Sequence, residues 1–350
     1  IDVSMEYYNT KTKDVIWNKA LPVINGAFSP DGGPKANYTT NLNMCETSNK
    51  GFELALNTRN IITKNFTWSS SVTFNHNKEK ITKLSGGDSD VLNNGDTGYA
   101  LALGEAINSY YHYKLDGVWQ KGEETDAAVF GAAPGDLKIN IPNLVKESDG
   151  RFYKIDEETG SAAVDENGNV IYYTSDNKYT PSDADYQILG HNSPDWSLGF
   201  QNNFTWKDFD LSVFVYARYG QMFAYDMLTS YDPKGIRNFP TYFNYWTENN
   251  PSNDFPAANA NKGLEQYTGY YALRYVDGSF IKIKNITLGY SLPKSILKSA
   301  GIEKCRFYAT ITNPFVFAKS HLLKDYDPEM NGSLKYPLTK QFVFGVNVTF

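Results

Sequence analysis

The sequence predicts an all-β chain, part of a transmembrane antiparallel β-barrel with long loops on one rim. Three observations carry that expectation. Eight segments alternate apolar and polar residues at period two, as strands with two unlike walls do. The connections between them alternate strictly between short and long. The last segment, residues 341–350, sets Phe342, Phe344, Val346, Val348 and Phe350 on one wall. Gln341, Gly345, Asn347 and Thr349 fall on the other, with only Val343 out of step.

The elements follow in order. Ile1, Val3, Met5 and Tyr7 alternate with Asp2, Ser4 and Glu6. Opening in mid-strand, the chain reads as a fragment, the last third of something larger. Residues 51–58 set Phe52, Leu54 and Leu56 against Glu53, Ala55 and Asn57, and a turn near 60–65 leads to Phe66, Trp68, Ser70, Val72 and Phe74. Trp196, Leu198, Phe200, Phe204 and Trp206 alternate with Ser197, Gly199, Gln201, Asn203 and Thr205. After a tight turn at Lys207 and Asp208 come Phe209, Leu211, Val213, Val215 and Ala217, opposed by Asp210, Ser212, Tyr216 and Arg218. Strands from Phe280 to Tyr290 and from Cys305 to Thr312 precede the last.

About ten tilted residues of strand cross a hydrocarbon core. The final strand alone also fits a half-buried strand of a soluble sandwich. The connections favour the barrel. Residues 60–65, 207–208 and 293–303 are short; 11–49, 77–195, 222–278 and 318–340 are long. In an antiparallel barrel every second connection lies on the same rim, so the long excursions share one side. Long loops are uncommon in compact soluble domains. The same parity assigns the aromatic segment 107–120 to the long-loop rim, as a hairpin, and leaves eight spanning strands.

Composition agrees. Aromatics make up 15% of the 350 residues, with Tyr 26 and Phe 21, which suits strands and aromatic girdles. Mean hydropathy is -0.48, and no run of about eighteen apolar residues marks a transmembrane helix. A net charge of -6 leaves no basic field for nucleic acid. Cys45 and Cys305 stand in no metal or redox spacing, and the sequence leaves their pairing open. The four histidines show no zinc or triad spacing, and no phosphate loop is present. The loop carboxylates read as solvated turns, and no residue is expected to be catalytic.

Ordered short motifs carry a resemblance. Asn49-Lys50-Gly51-Phe52-Glu53-Leu54 and its paired aromatic strand resemble the strands of TonB-dependent receptors. Asn75 to Ile81, Asp116-Gly117-Val118-Trp119-Gln120, Ala133-Pro134-Gly135-Asp136 and Pro194-Asp195-Trp196 are similar to the SusC/RagA branch found in Bacteroidetes. The longest match is Ser279 to Tyr290, followed by Thr312-Asn313-Pro314-Phe315 and Tyr326-Asp327-Pro328-Glu329. The resemblance implies the carboxy-terminal eight strands of a 22-stranded outer-membrane barrel, the plug and earlier strands lying outside residues 1–350. It also implies TonB-driven import of glycan or peptide with a SusD-like surface lipoprotein. The terminal Phe350 resembles the signal read by the barrel-assembly machinery. Asp136 and Asp149 are partial matches to a calcium loop, whose alternating oxygen ligands and closing Glu are not in place. No other cofactor is expected.

Loop aromatics are the candidate contacts for cargo or the lipoprotein lid: Tyr110, Tyr111 and Trp119 in one loop, and Tyr225, Tyr231, Tyr242, Tyr245 and Trp246 in another. Their faces stack on apolar surface, and Tyr and Trp also donate hydrogen bonds. The bland alternative is that they pack the loops on one another. The rival function is a secreted β-rich protein that binds or cleaves carbohydrate.

Overall fold

The computed structural model describes residues 1–20, 39–84, 91–94, 99–230, 233–234, 240–298 and 301–350. Eight strands form one sheet in sequence order, every neighbour antiparallel. They are β1 (Asp2–Ala20), β2 (Thr39–Ile62), β3 (Phe66–Leu84), β4 (Trp196–Trp206), β5 (Phe209–Tyr219), β6 (Phe280–Ser291), β7 (Lys304–Ala318) and β8 (Gln341–Thr349). All eight expected strands are there, joined by alternating short and long connections. None of the described helices is long and apolar enough to cross a membrane.

The register turns the alternation of single strands into continuous walls. One row runs Leu54, Phe74, Leu198, Ala217, Ile281 and Phe317 across six strands. These side chains belong to an apolar wall that stays open to the surroundings, with Ile281, Leu288, Phe315, Phe317 and Phe344 all at least half exposed. Aromatics bound that wall at both ends. Near the short turns Phe66, Trp206, Phe209, Tyr290 and Phe307 lie side by side. Near the long connections the row is Tyr7, Phe52, His76, Trp196 and Tyr219. Trp196 and Trp206 end one strand of 11 residues. At about 3.3 Å per residue and a tilt near 40°, the two rows stand about 25 Å apart.

The opposite wall is polar and bonded to itself. Asn75 Nδ2 donates to Glu53 Oε1 at 2.9 Å, Ser71 Oγ to Asn57 Oδ1 at 2.6 Å, and Gln201 Nε2 to Ser212 Oγ at 2.6 Å. Arg306 forks onto Asp210 at 2.8 and 2.6 Å. Tyr308 lies across Gly345, where a Cβ would meet the ring at 2.4 Å.

Three details differ from the sequence expectation. The first three strands are longer, at 19, 24 and 19 residues; the first two pair up to Ala20 and Thr39, so the connection expected over 11–49 shrinks to 21–38, outside the described residues, and the one expected over 77–195 begins only after Leu84. Beyond the aromatic row the wall carries Lys11, Lys13, Glu46 and Lys50, and apolar alternation stops marking the strand although its ladder continues. Segment 107–120 stays out of the main sheet but is not a hairpin. Ser109–His112 pairs with Gln187–His191, whereas Lys114–Val118 pairs with Leu137–Asn140. Asn202 stands on the apolar wall, in the row of Ser70 and Val213, where its Oδ1 accepts from Trp68 Nε1 (3.0 Å) and Ser70 Oγ (2.8 Å).

Candidate functional site

Above the long-connection end of the sheet, three connections share one hydrophobic core. Residues 85–195 supply Val118 and Leu137, residues 220–279 supply Phe223, Leu228, Phe243, Phe255 and Val276, and residues 319–340 supply Leu323. Phe243 and Phe255 stack at 4.3 Å with planes 7° apart. Polar links tie the same pieces. Trp246 Nε1 donates to Gln120 Oε1 at 2.9 Å, and Lys262 pairs with Asp136 at 2.5 Å. Gly135 holds φ +95° beneath the Trp246 ring, where a Cβ would come within 2.8 Å. Only glycine is comfortable there.

The expected contact aromatics divide by burial. Tyr110, Trp119, Tyr225 and Trp246 are buried. Tyr110 stacks on Tyr99 at 4.7 Å and Trp119 on Phe130 at 5.6 Å beneath the Lys138 ammonium, while Tyr225 packs at a tilt against Tyr326 at 4.3 Å. Tyr111 is half-buried, edge-on to Tyr186 at 5.5 Å. Tyr242 is half-buried against Phe243 at 5.1 Å. Tyr245 is exposed at 40%. Tyr231 lies outside the described residues. Phe350, after β8, is also exposed. Asp136 is engaged by Lys262 and by the Ala133 N–H, and Asp149 by Arg151 Nε at 2.7 Å. Among the described residues no group of three or more His, Cys, Asp or Glu is placed to hold a metal ion. Cys45 and Cys305 are both buried free thiols, on β2 and β7.

Sequence reasoning missed an ion cluster that fastens the last connection to the polar wall. Lys282 on β6 is fully buried. Its Nζ donates to Asp327 and, at 2.9 Å, to Glu329, whose other oxygen takes Lys284 Nζ at 2.6 Å. A buried ammonium is tolerable only when so compensated. The strand irregularities make room. Pairing between β6 and β7 skips Lys284 on one side and Asn313-Pro314 on the other, and Asn313 takes φ 53°. Proline fits a sheet at such a bulge. Asp327 also caps the turn at Pro328–Met330 through Oδ1 and the Glu329 N–H, 3.1 Å. Burial pushes the Glu329 carboxyl up, but the bonds from Lys284 and Lys282 outweigh it and leave its pKa lowered. The signal in the sequence was two lysines two residues apart in an alternating strand and an Asp-Pro-Glu downstream.

His112 is half-buried among Tyr186, Tyr113 and Tyr275, stacked on Tyr186 at 4.8 Å. Its Nδ1 accepts the Tyr113 N–H at 2.8 Å, which requires an unprotonated nitrogen there. Burial and then the Arg274 charge lower its pKa below the ordinary 6.5, against a smaller opposing pull from Asp183. A depressed folded pKa gives stability that is complete above the unfolded value and lost as pH falls through the folded one. An imidazole NMR titration should therefore place His112 below 6.5, with the surrounding tyrosine signals shifting in the same step.

Comparison with known proteins places this geometry. The chain is 28% identical over 372 residues to TonB-dependent receptor P3 of Formosa agariphila, covering 100% of this chain and 32% of the relative. It is 26% identical over 353 residues to TonB-dependent receptor SusC of Bacteroides thetaiotaomicron, covering 98% and 29%. The chain is a homologue of the TonB-dependent receptors. It spans about a third of the length of these relatives. No family model matches it. Its fold matches the solved structure of the RagAB peptide transporter with TM-score 0.69 at 23% identity, over 99% of this chain and 33% of that one. The RagAB peptide importer in its closed-closed state gives 0.68 at 22%, over 99% and 33%.

Proposed function

We propose that residues 1–350 are an arc of a closed 22-stranded outer-membrane β-barrel, the carboxy-terminal part of a TonB-dependent transporter. It imports oligomeric nutrients, glycan or peptide, with a SusD-like surface lipoprotein over its long loops. The observation that carries this reading is the exposed apolar wall, about 25 Å tall between two aromatic rows, backed by a hydrogen-bonded polar wall. A bilayer core covers such a belt, and the polar wall then faces a watery lumen lined by Gln201, Asn203, Ser212, Tyr216, Arg218 and Asn347. A secreted carbohydrate-binding protein would hold that whole belt against water, where patches of this extent are rare. The lipid reading also accounts for Asn202, since a polar group facing hydrocarbon needs partners within the protein. Chemistry plays no part on this view; TonB, reached through the rest of the transporter, supplies the work. The exposed Tyr245, with Tyr111 and Tyr242, is the aromatic surface left for cargo or lid. Phe350 serves as the assembly signal, and calcium at Asp136 or Asp149 is not part of the reading.

Growth tests it. A strain lacking the protein, supplied with a panel of glycans and peptides, should lose growth on one class and regain it with the gene, but not when TonB is inactivated. Growth on every nutrient without the protein, or rescue without TonB, overturns the reading. The wall assignment has its own check. Phe200→Arg, outward at mid-height, should cost about 2–4 kcal/mol of barrel stability in lipid, and Gln201→Arg, inward and adjacent, far less. Denaturant titration in bilayers decides, and equal costs would remove the two-wall picture.

A further inference from the structure

We propose that the lysines just beyond the aromatic row at the long-connection end of the apolar wall bind the phosphate of an outer-leaflet lipid headgroup. The proposal rests on the membrane part of the import reading and adds a ligand on the outside of the barrel. Register sets the group out in three rows on one wall. Tyr7, Phe52 and His76 form the aromatic row. One step further out, Lys50 lies directly opposite Lys78. One step beyond that, Ser48 stands between Lys11 and Lys80. A hollow of about 630 Å³ spans the rows, lined by the three aromatic-row residues on one side and Lys50, Lys78 and Lys80 on the other. No carboxylate lines it.

The lysines are unanswered within the protein. Lys11, Lys50, Lys78 and Lys80 are all exposed, and their ammonium groups make no hydrogen bond or ion pair among the described residues. Elsewhere along this rim cations are matched. Lys319 lies 4.9 Å from the centre of the Tyr219 ring and pairs with Asp277 at 2.7 Å, and Lys83 pairs with Glu46 at 3.5 Å. Opposed residues on neighbouring strands stand about 5 Å apart at Cβ, and like charges so placed are destabilising. A lysine on an edge strand serves as protection against stray pairing. β2 and β3 are flanked by strands on both sides, so that explanation does not apply to Lys50 and Lys78. A headgroup anion removes the repulsion. Strands about 4.8 Å apart, with a step of about 6.6 Å between same-face residues, bring Lys50, Lys78 and Lys80 within reach of one phosphate. Its oxygens accept charge-assisted bonds from each ammonium. The aromatic row fixes the depth, since such girdles sit at headgroup level. The acyl chains then run over Phe52 and the apolar wall.

Native mass spectrometry of the intact transporter in a neutral detergent tests this with three probes: monophosphoryl lipid A, the same glycolipid stripped of its phosphate, and inorganic phosphate. The phosphorylated lipid should bind about tenfold tighter or more than the stripped one, well within what three lysines supply at an anionic surface. Lys50→Gln, Lys78→Gln and Lys80→Gln combined should erase that preference, and the same three changed to Arg should keep it. Without lipid the Gln variant should melt no earlier than wild type, because an opposed pair of like charges is relieved. Equal binding of the two lipids, or a preference that survives in the Gln variant, overturns the proposal. Displacement of the lipid by an equal concentration of inorganic phosphate overturns the lipid as the source of the anion. An earlier melt of the Gln variant shows that the lysines already have partners in the protein and overturns it too. Equal lipid binding together with unequal costs for Phe200→Arg and Gln201→Arg removes this site and leaves the barrel. A phosphate preference together with equal costs does the reverse.

Discussion

Replacing Lys282 with Ala is expected to free the last long connection from the wall of the sheet. The ammonium is wholly buried, and the Asp327 and Glu329 side chains are only 11% and 17% exposed. Removing the cation leaves two carboxylates in a confined site with Lys284 alone to answer them. Breaking a buried pair in this way costs about 3–5 kcal/mol. Hydrogen exchange across residues 320–333 should rise steeply, because this stretch is held by the ion cluster and the Leu323 anchor. Lys284→Ala should do less, since that side chain is 30% exposed and Glu329 keeps Lys282. The triple change Lys282→Met, Asp327→Asn, Glu329→Gln should recover much of the loss, as apolar or neutral replacements of buried ion sets do. Acid offers an orthogonal check. Glu329 has a lowered pKa, so its contribution is whole above the ordinary 4.5 and fades as pH falls through the lower folded value. Wild-type exchange in this segment should accelerate below pH 4.5, and the triple variant should be flat there. Unchanged exchange in Lys282→Ala would mean the cluster does not hold the segment.

Trp246→Ala and Tyr245→Ala, neighbours in sequence, should fail in different ways. Trp246 is 7% exposed, caps Gly135 and donates to Gln120. Its truncation empties the core shared by three connections and should cost about 3–5 kcal/mol, read as an earlier melting of the near-UV aromatic signal. Tyr245 is 40% exposed, and its loss should cost about 1 kcal/mol or less. On the proposed import reading, cargo binding measured on folded protein then isolates Tyr245. A Trp246→Ala variant that melts like wild type would refute the placement of that ring.

How legible the fold was depended on the span over which each rule acts. Period-two alternation is local, so Phe204 or Val213 declared their wall without help from neighbours. The rule failed where the wall changed character. Above Tyr7 and Phe52 the strands continue with Lys11, Glu46 and Lys50, and nothing apolar marks them. Asn202 broke the pattern because partners on the neighbouring strand satisfy it. In the loops, composition announced the aromatics but not their fate. Burial of Trp246 depends on Gln120, 126 residues away, and that of Lys282 on Glu329, 47 residues away. No periodicity encodes such distances. Proline and asparagine in β7 read as a motif, and only the register showed them to be one side of a bulge.

The shared core of the three excursions constrains how this arrangement can diversify. Val118 and Leu137, the Phe223-to-Val276 set, and Leu323 are pieces of one block although the chain visits the sheet between them. A chimaera that grafts any single excursion onto a relative would leave voids in the other two. Exchange of the loop surface should therefore succeed only when all three travel together, as a cassette set on an unchanged sheet.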